Sequence, residues 1–287
     1  MSKKRSGWFS RIVLAIGLIA FLGFSIAPLL GGVLQANQGS SNPTPTNTPA
    51  ASNPQEDLQA QERGYKLVLE REPDNRTALR GLIDVRRQLN DIEGTIEPLE
   101  RLAELNPDES RYRVLLAQTK QYLGDREGAV ETYRELITRE PGNVQALQGL
   151  VTLLLQEDRP EAAIAAIEDI LQLASQANQS EPGSIDVVST QLLLGQVYAE
   201  QQRYEQALNV FDNLSQEHSS DFRPLVGKGL ILEETGQLDE AQAALNTALE
   251  LAPAQQKDRI QILIEEIQAS QASSTEEDVS EEDVSEE

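Results

Sequence analysis

The chain has 287 residues, 47 of them acidic and 24 basic, for a formal net charge of −23; at roughly 150 residues per domain that length suggests one or two domains. So large an anion is repelled by phosphate backbones, which argues against nucleic acid as a partner. With no cysteine and one histidine, His218, disulfides, thiol nucleophiles, zinc fingers and iron–sulfur clusters are excluded, and histidine-based acid–base schemes lack a second member.

Residues 1–11 form a basic segment containing Lys3, Lys4, Arg5 and Arg11, and residues 12–34 are an uncharged run rich in Leu, Ile, Ala and Gly. As a helix that run covers about 35 Å, enough for a hydrocarbon core of roughly 30 Å. Trp8 stands where indole rings collect at the membrane interface. A cleaved signal peptide is the competing reading. A small-x-small cleavage site is poorly supplied, because Pro28 follows Ala27 and Leu34 lies two residues before Ala36. Residues 12–34 therefore read as a transmembrane anchor. The positive flank keeps the N-terminus cytoplasmic and sends the rest to a periplasmic or thylakoid-lumenal side. Residues 35–55, rich in Ser, Thr, Asn and Pro, have too little apolar surface to fold and read as a flexible tether.

Beyond the tether the chain is periodic. Pro73, Pro107 and Pro141 recur at 34-residue intervals, and Ser219 and Pro253 keep the same spacing after a shift of about ten residues. The polar stretch from Ser175 to Asp186 absorbs that shift and reads as a loop insertion. Each frame (76–109, 110–143, 144–177, 188–221 and 222–255) holds two amphipathic helices joined by a tight turn. Small residues stand in phase on the first helices (Ala117, Gly195 and Gly229) and on the second (Ala129, Ala163, Ala207 and Ala241), where they permit close helix approach. Gly124 and Gly236 suit the turns, and proline ends the second helix because it cannot continue the hydrogen-bond ladder. Residues 57–73 match a lone second helix with Tyr65 and Val68 inward. Residues 255–268 carry Ile260, Leu263, Ile264 and Ile267 on one stripe, as a capping helix would. Residues 269–287 hold eight acidic side chains and no basic one, which predicts a disordered tail.

These residues resemble the tetratricopeptide repeat family over residues 56–268. The resemblance implies an all-α solenoid of about five helix pairs plus flanking helices, here behind one transmembrane helix and stacked as one cooperative domain. It also implies that the first helices line a concave groove for peptides or extended partners. In register the groove positions are Thr77, Arg80, Asp84, Arg87 and Gln88, then Arg111, Val114, Gln118, Gln121 and Tyr122. Gln145, Gln148, Thr152 and Gln156 follow, then Leu192, Gln196 and Glu200, and finally Arg223, Val226, Leu230, Glu233 and Glu234. Family adaptors that clamp chaperone tails use Lys and Asn where this chain has Arg80 and Asp84, so that ligand is not expected. Arg80, Arg87 and Arg111 make the N-terminal part of the groove basic, while Glu200, Glu233 and Glu234 make the C-terminal part acidic. Arg80 and Arg87 lie two turns apart on one face and can present forks to carboxylates. The plainer alternative is that they pair with Asp84 and nearby glutamates.

No G-x-S-x-G occurs, and Gly227-Lys228-Gly229 lacks the rest of a phosphate loop. No catalytic residue, cofactor, metal or small-molecule substrate is expected. The anchor-plus-repeat layout resembles cyanobacterial and chloroplast repeat proteins, which implies a membrane-anchored scaffold that recruits protein partners and assists assembly of a membrane or photosynthetic complex. A lumenal or periplasmic component of export or envelope-biogenesis machinery, or an accessory subunit of an enzyme, is the alternative.

Overall fold

The structure, a computed structural model, describes residues 53–282. The basic segment 1–11, the anchor 12–34, nearly all of the tether and the last residues of the tail lie outside them. Among the described residues no helix is long and apolar enough to cross a membrane. The described chain is all-α, with twelve α-helices in order: α1 (Pro54–Arg71), α2 (Arg76–Gln88), α3 (Ile96–Leu105), α4 (Arg111–Tyr122), α5 (Arg126–Arg139), α6 (Val144–Gln156), α7 (Pro160–Ser180), α8 (Val187–Glu200), α9 (Tyr204–Glu217), α10 (Arg223–Glu234), α11 (Leu238–Leu251) and α12 (Ala254–Glu282). The pairs α2/α3, α4/α5, α6/α7, α8/α9 and α10/α11 are the five frames, with α1 before them and α12 after.

Local chemistry sets the helix ends. Asn75, Asp125, Asn143 and Asp186 cap α2, α5, α6 and α8, each carboxyl or amide oxygen accepting from a backbone N–H three residues on at 3.0 Å. At the turn inside every frame one residue adopts positive φ: Asn90 (61°), Gly124 (85°), Asp158 (56°), Gln202 (58°) and Gly236 (78°). Their spacing follows the repeat. At each, the next residue's N–H reaches back into the first helix, as in Arg203 N to Tyr198 O at 2.9 Å and Gln237 N to Leu232 O at 2.8 Å, satisfying carbonyls the helix end would otherwise orphan.

The insertion takes a different form from the expected loop. α7 runs on through Ser180, and only a short segment before α8 is non-helical. Ser175 stands where the first, second and fifth frames have Pro (the fourth has Ser219), and SQANQS contains nothing to stop a helix before Pro182. Asn178 then holds the turn, its Oδ1 accepting from the Ile185 N–H and its Nδ2 donating to the Ile185 carbonyl, both at 2.9 Å. Likewise α12 carries its helical backbone to Glu282, past the boundary at 269 where the sequence predicts disorder. Ala and Glu propagate a helix once the stripe of Ile260, Ile264 and Ile267 has anchored it. Val68, expected inward, is 40% exposed.

Two compact units divide the described chain, where the sequence suggested a single array. One comprises residues 53–166 with Gln176–Ile185, the other Ile167–Ser175 with the chain from Asp186 onward. The first contains an apolar cluster of Leu79, Ile83, Leu99, Leu102, Tyr112 and Leu116. The second has its own, with Val226, Leu230, Leu245, Ile260 and Ile264.

Aromatic rings of second helices seat on glycines of the next first helix. Tyr65 covers Gly81, Tyr133 covers Gly149 and Phe211 covers Gly227, each ring lying where a Cβ would sit; on Gly227 that Cβ would be 2.7 Å from Phe211 Cζ. Phe211 also presses on Gly195 of its own frame. In this packing Tyr133 is 1% exposed, and burial pushes its phenol up to about 12.

Candidate functional site

The first helices carry the candidate contact residues. In the first unit these are α2, α4 and α6. Arg80 projects from α2 and its Nε donates to the Tyr112 hydroxyl at 2.8 Å. Arg111 of α4 donates to the same oxygen at 3.1 Å, and its guanidinium carbon lies 4.9 Å from the centre of the Tyr112 ring. The Arg80 guanidinium lies 5.9 Å from that ring. Two cations thus share one phenol, which accepts both bonds and keeps its own proton to donate. Each arginine over an aromatic face gains about 0.5–1 kcal/mol at an exposed site. The phenol bond, opposed by desolvation and supported by Glu109, holds Arg111 above its ordinary value.

Arg87, two turns beyond Arg80, is exposed and makes no side-chain hydrogen bond or ion pair among the described residues. Asp84 is also exposed, and forms no ion pair with Arg80 or Arg87. Gln118 is exposed, and Tyr122 at the end of α4 is 74% exposed. Gln121 Nε2 donates to Gln156 Oε1 at 3.0 Å, tying α4 to α6. Gln148 is half-buried, whereas Gln145 and Thr152 are open. The structure therefore brings Arg80 and Arg111 together and leaves Arg87 two turns further along α2, exposed and without a side-chain partner among the described residues.

In the second unit α8 and α10 present fewer open groups. Gln196, Glu200 and Glu233 are half-buried, and Gln196 and Glu233 have polar partners within the fold. Burial pushes the Glu200 carboxyl above the ordinary value of 4.5. Burial raises Glu234 too, partly offset by the hydroxyl of Tyr204, which donates to its Oε1 at 3.4 Å. Arg223 is committed to Asp221 at 2.6 Å and to Ser189 Oγ at 3.1 Å. Four expected groove residues are not available to a ligand: Val114, Leu192, Val226 and Leu230 are buried, at 9% exposure or less. They stand at groove register, but their apolar side chains turn into the packing, where burial removes them from water.

Sequence reasoning missed Tyr112, because it falls beside Arg111 and outside the groove register. The glycine seats were also missed. A spacing of sixteen residues from Tyr65 to Gly81, from Tyr133 to Gly149 and from Phe211 to Gly227 was the available signal. Among the described residues no cluster of three His, Asp or Glu side chains could hold a metal ion.

Stacked helix pairs, a conserved-phase turn and an open polar face on the first helices define a helical-repeat scaffold for protein contacts. The chain belongs to the tetratricopeptide repeat family, which matches residues 49–254. It is 29% identical over 131 residues to the protein CTR9 homolog of Arabidopsis thaliana, a match covering 46% of this chain and 12% of that protein. The chain thus spans a small part of that relative's length. Among solved structures, yeast Tom70 superposes with a TM-score of 0.51 at 12% identity, over 74% of this chain and 43% of that one. A crystal structure of MamA protein matches at 21% identity with a TM-score of 0.41, over 64% of this chain and 94% of that one. At these identities the structural likeness concerns the fold alone.

Proposed function

We propose that the chain is a non-catalytic, membrane-anchored adaptor whose first unit takes extended, carboxylate-bearing segments of protein partners. The supporting observation is the convergence of Arg80 and Arg111 on Tyr112, with the exposed Arg87 two turns further along α2. Arginine forks hold carboxylates bidentately, and the shared phenol fixes two of the forks in advance, which lowers the entropy cost of binding. Asp84 sets a limit on ligand charge pattern, since a carboxylate directly beside it would be repelled. Gln118 and Gln148 supply amides for an extended backbone, and Tyr122 supplies an exposed ring. On this reading residues 12–34 hold the repeats at a membrane with the N-terminus cytoplasmic, and the partners belong to a membrane complex under assembly.

The test is crosslinking in membranes followed by affinity enrichment of the full-length chain, beside a triple variant Arg80→Ala, Arg87→Ala, Arg111→Ala. Partners rich in Asp and Glu should be recovered with the parent chain, lost in the variant, and weakened by added salt. Identical partner sets from both chains would remove the arginines from the binding surface.

A further inference from the structure

Away from the Arg80 face, the first unit has a surface cavity of about 690 Å3 formed by α4, α5 and the turn between α6 and α7. Arg113 of α4, Arg134 and Arg139 of α5, and Arg159 of the turn line it. Arg159 is paired with Glu157 at 3.1 Å. The other three form no ion pair with any carboxylate among the described residues. The one side-chain hydrogen bond of Arg113 among them is a long one, 3.4 Å to the Pro107 carbonyl.

Arg113 also occupies an unusual register position. One repeat earlier stands Leu79 and one repeat later Leu147, both buried in the core, at 4% and 1% exposure. The chain thus places a half-buried guanidinium where its neighbouring frames place leucine. Desolvation lowers the proton affinity of Arg113 and the like charge of Arg139 lowers it further, with Glu140 and Glu135 offsetting part of both. Arginine nevertheless stays charged at any physiological pH, so the desolvation cost persists in the folded chain, offset only in part by Glu135 and Glu140. A leucine there would avoid that desolvation cost, and the guanidinium is left able to meet a further anion in the cavity.

The walls say which anion. Glu127, Glu131 and Glu135 line the same cavity, beside the Glu157 that pairs with Arg159, and disfavour a purely acidic ligand, while offering partners to a cation. We propose that this cavity is a second binding site for a protein segment that carries a carboxylate beside a basic side chain, the carboxylate held by Arg113 and Arg139. It shares no residue with the Arg80 face, so it stands or falls independently of the reading above.

The test uses the full-length chain and three probes: a short peptide alternating Glu and Lys, the same peptide with Gln in place of Glu, and inorganic phosphate. Arginine Nε–H resonances are followed by NMR, and peptide affinity is measured on Arg139→Gln and Arg113→Leu. The Glu/Lys peptide should move the Arg113 and Arg139 signals and the Gln/Lys peptide should not. Arg139→Gln should weaken the Glu/Lys peptide by about tenfold or more, the range of one charged hydrogen bond. Arg113→Leu, which rebuilds the leucine of the neighbouring frames, should raise the melting temperature while abolishing peptide binding. A structural arginine would instead lose stability on that change, which would overturn the proposal. It is equally overturned if phosphate alone moves the signals, which would make the ligand a free anion, or if the peptide binds both variants unchanged.

Discussion

At the residue scale, the clearest electrostatic cost is Glu200. Its carboxyl is raised above 4.5 by burial, so the folded state holds the proton more tightly than the unfolded chain does. The stability associated with that proton is present below pH 4.5 and is lost as pH rises through the elevated folded value. Glu200→Gln should therefore stabilise the chain at pH 7 and give no gain at pH 4, as measured by urea denaturation at the two values. An equal gain at both would mean the carboxylate carries no desolvation cost. Arg80, Arg87 and Arg111 were legible as a basic set because helical register alone places them. Their meeting at Tyr112 was not, since Tyr112 lies one residue off the groove register and only the folded array brings its hydroxyl to Arg80. The buried Val114, Leu192, Val226 and Leu230 show the converse limit: register places a residue at the groove, but an apolar side chain chooses the core.

At the element scale, the aromatic-on-glycine seats hold successive pairs together. A methyl group at Gly149 would lie 2.6 Å from the Tyr133 phenol oxygen, inside contact distance. Gly149→Ala should therefore destabilise by about 1–3 kcal/mol, the cost of overpacking a fitted core. Gly64, mid-helix in α1 with nothing within 4 Å of an added Cβ, is the control, and Gly64→Ala should stabilise by about 0.5–1 kcal/mol. Thermal melts read both; a neutral Gly149→Ala would remove the seat from the account. The helix pairs themselves were legible because Pro, Gly and Ala recur in phase. The length of α7 was not, because a missing proline at Ser175 marks no new boundary, and Ser219 at the same phase of the fourth frame is followed by no such extension, α9 ending at Glu217. The persistence of α12 past residue 269 was hidden for a related reason: charge repulsion argues against a helix there, while the intrinsic preferences of Ala and Glu argue for one.

At the scale of the whole molecule, the two compact units have separate apolar clusters, so cooperativity need not extend across the described chain. Calorimetry of the full-length protein should resolve two transitions, and Ile264→Ala, in the second cluster, should shift only one of them. A single transition with equal calorimetric and van't Hoff enthalpies would restore the one-array expectation that the 34-residue period suggests. The family assignment covers both units, which fits repeats that share a pattern without sharing a melting event. The glycine seats also have an optical consequence. Tyr65 and Tyr133 are pressed against backbone, a fixed asymmetric setting that gives near-ultraviolet circular dichroism only while packing is native; Tyr122 stands in water and contributes little. The single tryptophan, Trp8, belongs to the segment flanking the proposed anchor. Tyrosine dichroism and tryptophan emission therefore report on different events in one sample, the first on repeat packing and the second on the surroundings of the N-terminus, with no label added.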